Sequence, residues 1–271
     1  KDAAWYDFTE EMLPRIQALF PNHLVTQTLG SLDSEGAERS YRRLFSLGSN
    51  QFVAIHRYLD RADRTYDEVK GEIDNLVCSA VDFVREYVRD RPMMINEIGA
   101  VEPNHSGPSQ LYLRDTVGVL LHDMIFAPFF CGAAGSGSMW HWDHYIRKNG
   151  LWYHFGRFRH ATVGLDLQAE QFAAFVYNVG MLRFYGLRGR TQTLVWCRNQ
   201  TNTWRRELVD GKMPEVVKNV AVLVDDLVPG ANCSKVEFYD PWSDKKTKGQ
   251  VKNGMIYLPE VGRSLVIKLY N

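Results

Sequence analysis

Glu97 is the side chain of this sequence best placed to do chemistry. It lies in Met93-Met94-Ile95-Asn96-Glu97-Ile98-Gly99, where Arg91-Pro92 sets up a mostly apolar run from Met93 to Asn96 that reads as a short strand. The carboxylate comes where that strand is expected to end, and a glycine follows two residues later. In α/β barrels the C-terminal ends of the parallel strands carry the catalytic groups. Taken alone the heptad fits a solvated glutamate at a strand exit equally well, so its neighbours decide.

Those neighbours are rich in hydrogen-bonding and stacking groups. Phe52-Val53-Ala54-Ile55 is a second apolar strand, ending in His56-Arg57-Tyr58. A third candidate ends in Trp140-His141-Trp142-Asp143, and a fourth carries Thr26 and Thr28. In a parallel sheet all of these ends face one rim, so the groups converge on one pocket. A carboxylate ringed by His, Tyr and Trp suits cleavage of a glycosidic bond. One carboxylate attacks the sugar carbon or stabilises its cation, and a second protonates the leaving oxygen. Tyr58 and His56 are placed to orient Glu97 and set its protonation. Trp140 or Trp142 offers a stacking floor, with Arg57 and His141 as further substrate contacts.

The elements that must position these groups follow from hydrophobic spacing. Trp5, Phe8, Met12, Ile16 and Leu19 mark a helix over residues 1–20, kinked or restarted at Pro14. A strand over 23–29 follows, then loop or short helix over 33–42. A long amphipathic helix occupies 66–89, and further helices occupy 111–126 and 151–165. Small residues at 132–138 lead into the Trp140 strand. Strand and helix alternate four times, and the strands are too short to show alternation, as in a parallel sheet covered by helices. Four units fill about 165 residues, whereas a complete eight-stranded barrel takes roughly 250. Beyond Asp166 the texture changes to short strands divided by turn signals such as Arg188-Gly189, Pro229-Gly230 and Asn253-Gly254. That pattern predicts an antiparallel β-sandwich. The expected fold is therefore the C-terminal half of a (β/α)8 barrel over 1–168 and a β-sandwich over 175–271.

Composition removes several classes of function. Lys+Arg and Asp+Glu balance at 32 each, which gives no reason to expect a nucleic-acid or acidic-lipid partner. No apolar run reaches the roughly 18 residues of a membrane span. Cys78, Cys131, Cys197 and Cys233 lack metal-like spacing; they read as buried thiols, with one pair possible. His141, Asp143 and His144 cluster, with His105 and His122 elsewhere, but neighbouring strand residues face opposite sides and match no zinc motif. No metal or cofactor is expected. The run Gly132-Ala133-Ala134-Gly135-Ser136-Gly137 lacks the Lys-Ser/Thr of a phosphate loop and reads as relief of a crowded strand. No Gly-x-Ser-x-Gly elbow is present.

Residues 52–58, 93–99 and 139–145, followed by Asn149-Gly150-Leu151-Trp152-Tyr153-His154-Phe155, resemble strands six to eight of retaining (β/α)8 glycoside hydrolases. The clan is the one that includes family 5 cellulases and mannanases and their cellulase-like relatives. The resemblance implies that Glu97 is the nucleophile, that His56 and Tyr58 are the strand-six pair, and that Trp140, or else Trp142, is the strand-eight tryptophan. Asp240-Pro241-Trp242 is similar to the accessory sandwich of such proteins. The analogy also favours a secreted or periplasmic protein acting on an oligo- or polysaccharide. It departs in one respect: the acid/base glutamate at the end of strand four would precede Lys1. Glu10 and Glu11 lie in a helix and Glu102 in the next loop, and none is a good substitute. The missing half of the barrel is then expected as another segment of the same protein or as a second chain. An isolated half-barrel is also expected to expose strand edges and an apolar interior. A different class, a non-catalytic carbohydrate-binding protein, fits the aromatic rim equally well. The second carboxylate distinguishes the two.

Overall fold

The computed structural model describes residues 4–60, 72–230, 233 and 235–270. Helix α1 (Ala4–Leu19) runs through Pro14 without a break. Its buried positions are Thr9 and Leu13, flanked by half-buried Trp5 and Ile16, while Phe8 and Leu19 face solvent. The inward face is thus rotated from the one expected. Helix α2 (Glu35–Phe45) occupies the segment expected as loop or short helix. Ser34 caps it by accepting from the Ala37 N–H, with Glu35 in its first turn and Arg43 in its last.

Two regular parallel strands form the centre, β1 (Val53–Asp60) and β2 (Met93–Val101). Both run past the positions where the sequence suggested they end, so Glu97 sits within β2. Ile55 pairs with Ile95 but His56 pairs with Glu97, which leaves Asn96 as an extra residue in a bulge. The bulge breaks the period-two alternation. Ile95 and Ile98 are both buried, while Asn96 and Glu97 both reach the open side.

Two irregular segments flank this pair. The stretch expected as a strand over 23–29 forms no regular ladder, because side chains replace backbone partners. Thr26 Oγ1 donates to Phe52 O at 2.7 Å, Thr28 Oγ1 to Ala54 O at 2.8 Å, and the Gln27 N–H to Asn50 Oδ1 at 2.8 Å. Thr26 and Thr28 therefore stitch the fold together and do not line the rim. On the other side the fourth strand reduces to one parallel bridge, Ile98 with Met139. Around it the Ile98 N–H donates to Ser138 O and the Trp140 N–H to Ile98 O, both at 2.9 Å. A Cβ on Gly137 would lie 2.5 Å from Met124 O and 2.8 Å from Ile98 Cγ2, so the small residues do relieve crowding.

Helix α3 (Ile73–Tyr87) covers one side of the pair; residues 66–71 of its expected span lie outside the described residues. Helix α4 (Val119–Phe130) is buried on every side. It starts later than expected because the Asp115 carboxylate accepts from the Val119 and Leu120 N–H groups at 2.8 Å and caps it. Helix α5 (Tyr153–Thr162) is shorter than its expected 151–165. A disulfide joins Cys78 of α3 to Cys131 at the end of α4.

The sheet-rich C-terminal portion contains nine strands among the described residues, all antiparallel. These are β3 (Ala173–Val179), β4 (Leu182–Arg188), β5 (Gln192–Asn199), β6 (Ala221–Leu223), β7 (Lys235–Asp240), β8 (Lys245–Gly249), β9 (Val251–Lys252), β10 (Met255–Tyr257) and β11 (Ser264–Tyr270). They form a six-stranded sheet, β3-β4-β5-β11-β7-β8, and a three-stranded sheet, β6-β10-β9. Strands β3, β8 and β9 had no clear signal: β3 is largely exposed, and β8 is Lys-rich and exposed. β5 is buried at every residue because both of its faces are covered. Leu194 and Trp196 join the core under α3 and α4, while Val195 and Cys197 join a second core with Leu182, Phe184, Val222, Ile256 and Ile267.

Candidate active site

The bulge at Asn96 and the parallel register with β1 bring Glu97 beside His56 and Tyr58. The Tyr58 hydroxyl donates to Oε1 of Glu97, and His56 Nδ1 lies 3.4 Å from the same oxygen. Among the described residues Oε2 accepts no hydrogen bond. One carboxylate oxygen is therefore anchored and the other has no hydrogen-bond partner among the described residues, in a side chain that lines a cleft. Burial, reinforced by the bond to Glu97, raises the Tyr58 pKa well above its ordinary value, so the hydroxyl keeps its proton and donates. Burial lowers the pKa of His56, with the charge of Glu97 pulling the other way. Near neutral pH the imidazole is accordingly uncharged.

Gly99 explains the second half of the Glu-x-Gly pattern. A Cβ there would stand 3.0 Å from the Tyr112 hydroxyl and 3.3 Å from Cε1 of Tyr58. The glycine admits a close approach of two tyrosines, one of which holds Glu97. The Tyr112 hydroxyl in turn accepts from the Ala100 N–H at 2.6 Å, and its ring stacks on Tyr145 with centroids 4.3 Å apart. Tyr145 donates to Asp115, the cap of α4.

Glu97 opens into a cleft of about 500 Å³ lined by Asn96, Ser138, Trp140, His141, Trp142 and their neighbours Asp143 and His144. Trp140 follows directly on the parallel run with β2. Burial, with His144 nearby, lowers the His141 pKa, and its Nδ1 is buried without a partner. Five of the six residues expected around Glu97 thus share its surroundings: His56, Tyr58, Trp140, Trp142 and His141.

Arg57 does not. Its guanidinium turns to the opposite side of β1, where Nε donates to Leu76 O at 3.1 Å and Nη1 donates to Leu32 O. Successive strand residues face opposite sides, so with His56 and Tyr58 toward the cleft, Arg57 must point at α3. Its guanidinium is buried in structural hydrogen bonds and does not line the Glu97 cleft.

Asn96 was missed by the sequence reading; its Oδ1 is buried, without a partner, against the cleft. The signal was there, a polar residue interrupting an apolar strand directly before the carboxylate. A second rim cluster lies behind Tyr58. His105 Nε2 is 3.1 Å from Asp33 Oδ2 and 3.8 Å from Asp60 Oδ2, and its ring meets Tyr58 edge-on at 5.1 Å. No group of three or more His, Cys, Asp or Glu among the described residues is arranged to hold a metal. No helix among them is long and apolar enough to cross a membrane.

No protein-family model and no curated protein sequence matches the chain. Its fold is similar to that of solved glycoside hydrolases. With the family 30 endoxylanase of Clostridium papyrosolvens C71 the identity is 10% and the TM-score 0.51, over 97% of this chain and 60% of that one. With the family 30 subfamily 8 xylanase Xyn30A of Clostridium acetobutylicum the values are 11% and 0.56, over 100% and 61%. The α-amylase of Geobacillus thermoleovorans gives 12% and 0.50, over 98% and 57%. The chain thus spans about three-fifths of the length of the two xylanases. At such identities the likeness is one of fold, a mixed α/β portion consistent with part of a barrel followed by a β-rich portion. It gives no support to family 5 in particular.

Proposed function

We propose that this chain is the C-terminal part of a retaining glycoside hydrolase that cleaves β-linked saccharides, with Glu97 as nucleophile. On this reading the half-barrel runs over 1–168 and an accessory sandwich over 175–271. The carrying observation is the convergence of Tyr58 and His56 on one oxygen of Glu97, with the other unbonded among the described residues, in a side chain that lines an aromatic cleft. An anchored carboxylate with one unbonded oxygen suits in-line attack on an anomeric carbon, because little reorganisation is left to pay at the transition state. Trp140 stacks on the sugar face, while Asn96 and His141 bind its hydroxyls. Glu97 bonds to the anomeric carbon as the bond to the protonated leaving oxygen breaks, and water then attacks the same carbon, releasing the sugar and restoring the Glu97 carboxylate.

The leaving oxygen needs a proton from a second carboxyl, about 5 Å from the first in a retaining enzyme. Asp143 is the other carboxylate lining the cleft among the described residues; it stands at the mouth, 3.5 Å from His144. The reading therefore assigns the acid/base to a glutamate in an upstream segment or a companion chain that completes the barrel. The three-fifths coverage of the xylanases supports this. The Cys78–Cys131 disulfide suits an oxidising, exported setting. One observation favours the alternative, a non-catalytic carbohydrate-binding protein: among the described residues no second carboxylate contacts Glu97.

The test treats a native preparation containing this chain with 2-deoxy-2-fluoro-β-glycosides of xylose, glucose and mannose, followed by peptide mapping. A glycosyl adduct on Glu97, absent in Glu97→Gln, is the expected result. An adduct elsewhere, or turnover unchanged in Glu97→Gln, refutes the nucleophile. Saccharide binding with neither adduct nor turnover selects the binding protein.

A further inference from the structure

Between residues 139 and 155 Tyr145 is fully buried, but the three tryptophans are not. The aliphatic side chains Met139, Ile146 and Leu151 are buried, whereas Trp140, Trp142 and Trp152 are 57%, 48% and 51% exposed. Folding does not need three tryptophans in water, since each forfeits much of the largest apolar side chain it could bury. Trp142 lines the Glu97 cleft, and Trp152 continues from it, with ring centroids 6.2 Å apart and planes at 46°. Polar Asp143, His144, Arg147 and Lys148, all exposed, lie between the two in the chain.

The surface is built in advance. The Arg147 N–H donates to Trp142 O at 2.8 Å and the Leu151 N–H to Ile146 O at 2.9 Å. Asn149 Nδ2 donates to Tyr112 O at 2.8 Å and so ties the segment to the tyrosine behind Gly99. The pair is continuous with the Glu97 cleft, and tryptophan faces flanked by polar side chains match flat rings bearing C–H faces and equatorial hydroxyls.

The geometry points to Trp142 and Trp152 as a second saccharide-binding surface, continuous with the Glu97 cleft, that holds further units of a sugar chain. The ligand is then an oligo- or polysaccharide and not a mono- or disaccharide. This inference rests on the saccharide reading of the Glu97 cleft and specifies its substrate class.

Calorimetric titration of the protein with β-1,4-linked xylo-, cello- and manno-oligosaccharides of two, four and six units tests it. Affinity rises with length, and Trp152→Ala weakens the six-unit ligand roughly tenfold, the worth of one stacked ring, while leaving the two-unit ligand unchanged. Trp152→Phe restores most of the loss. Thermal unfolding of each variant matches that of the parent, because Trp152 is half exposed. Length-independent affinity, or length dependence intact in Trp152→Ala, overturns the surface and leaves the cleft reading standing. A dimer that dissociates in Trp152→Ala also overturns it and reassigns the patch to self-association. Absence of binding at every length overturns both readings together.

Discussion

Acid should loosen the contact between α4, α5 and the large sheet, and two buried histidines set the size of the effect. His154 Nε2 lies 2.9 Å from Val117 O, while His122 Nε2 lies 2.8 Å from Ser264 Oγ of β11; both Nδ1 atoms are buried without partners. Their rings are 5.8 Å apart and share Trp242. Burial, with Arg157 and Arg263 nearby, lowers the His154 pKa from 6.5 to about 4. Burial lowers that of His122 well below its ordinary value, with His154 and Arg198 adding to the effect. Above pH 6.5 the ring is neutral in both folded and unfolded chains, and the difference contributes nothing. Between 6.5 and about 4 the unfolded chain holds the extra proton, so stability falls as pH falls, at about 1.4 kcal/mol per pH unit for His154, with His122 acting in the same direction. Integrated for His154 this is about 3 kcal/mol, a large part of an ordinary domain stability of about 5–15 kcal/mol. His154→Gln keeps a donor toward Val117 O and removes the titration. Urea unfolding at steps from pH 8 to pH 4 should show the parent losing about 3 kcal/mol more than the variant. Parallel curves for the two proteins would refute the argument.

Tyr58→Phe removes the donor that fixes Glu97 Oε1, and a charge-assisted hydrogen bond of about 1.5–3 kcal/mol predicts a fall in kcat of roughly ten- to a hundredfold with little change in KM, measured on aryl β-glycosides. Gly99→Ala puts a Cβ 3.0 Å from the Tyr112 hydroxyl and should displace Tyr58, costing about 1–3 kcal/mol of stability together with activity; a variant as active as the parent would show that the tyrosines yield freely. Replacing Cys78 and Cys131 by serine reopens a loop with a sequence separation of 53 and should lower stability by about 2–4 kcal/mol, read as a urea midpoint that no longer responds to dithiothreitol.

Much of the site was legible because strand chemistry is local. An apolar run that ends in a charged or aromatic group announces itself, and His56, Tyr58, Glu97 and Trp140, which the fold brings together, were all singled out this way. Arg57 was misread because the triplet was treated as one rim; period-two alternation already sends its middle residue to the opposite face. The bulge was not legible, since it depends on the register of β2 against β1, a strand far upstream in the chain. Thr26 and Thr28 were misread for the same reason: their hydroxyls satisfy backbone carbonyls that only the tertiary register brings near. The expected apolar interior of the half-barrel is mixed: the side of β1 and β2 that carries the site presents Ala54 and Met94 beside His56, Tyr58, Asn96 and Glu97. Strands β3 and β8 lacked the buried apolar signature that sequence patterns detect.

The sheet-rich portion takes part in holding the cleft. Arg183 of β4 reaches Glu72 at 2.9 Å and Asp74 at 2.6 Å, Tyr185 donates to Asp74 at 2.8 Å, and Arg198 of β5 lies 2.8 Å from Asp123 of α4. Burial pushes the Asp74 pKa up, but Arg198 and Arg183 together outweigh it and hold the carboxyl below its usual range, so it stays charged. Such a buried cluster adds little net stability compared with apolar packing, yet breaking one partner strands a charge at a cost of about 3–5 kcal/mol. Its consequence is register: α3 and α4 cannot slide on the sheet as an apolar seam would allow. Leu76, within one turn of Asp74 on α3, accepts from Arg57 through its carbonyl, so the helix tied to the large sheet is also bonded to β1, at the residue next to the tyrosine that holds Glu97.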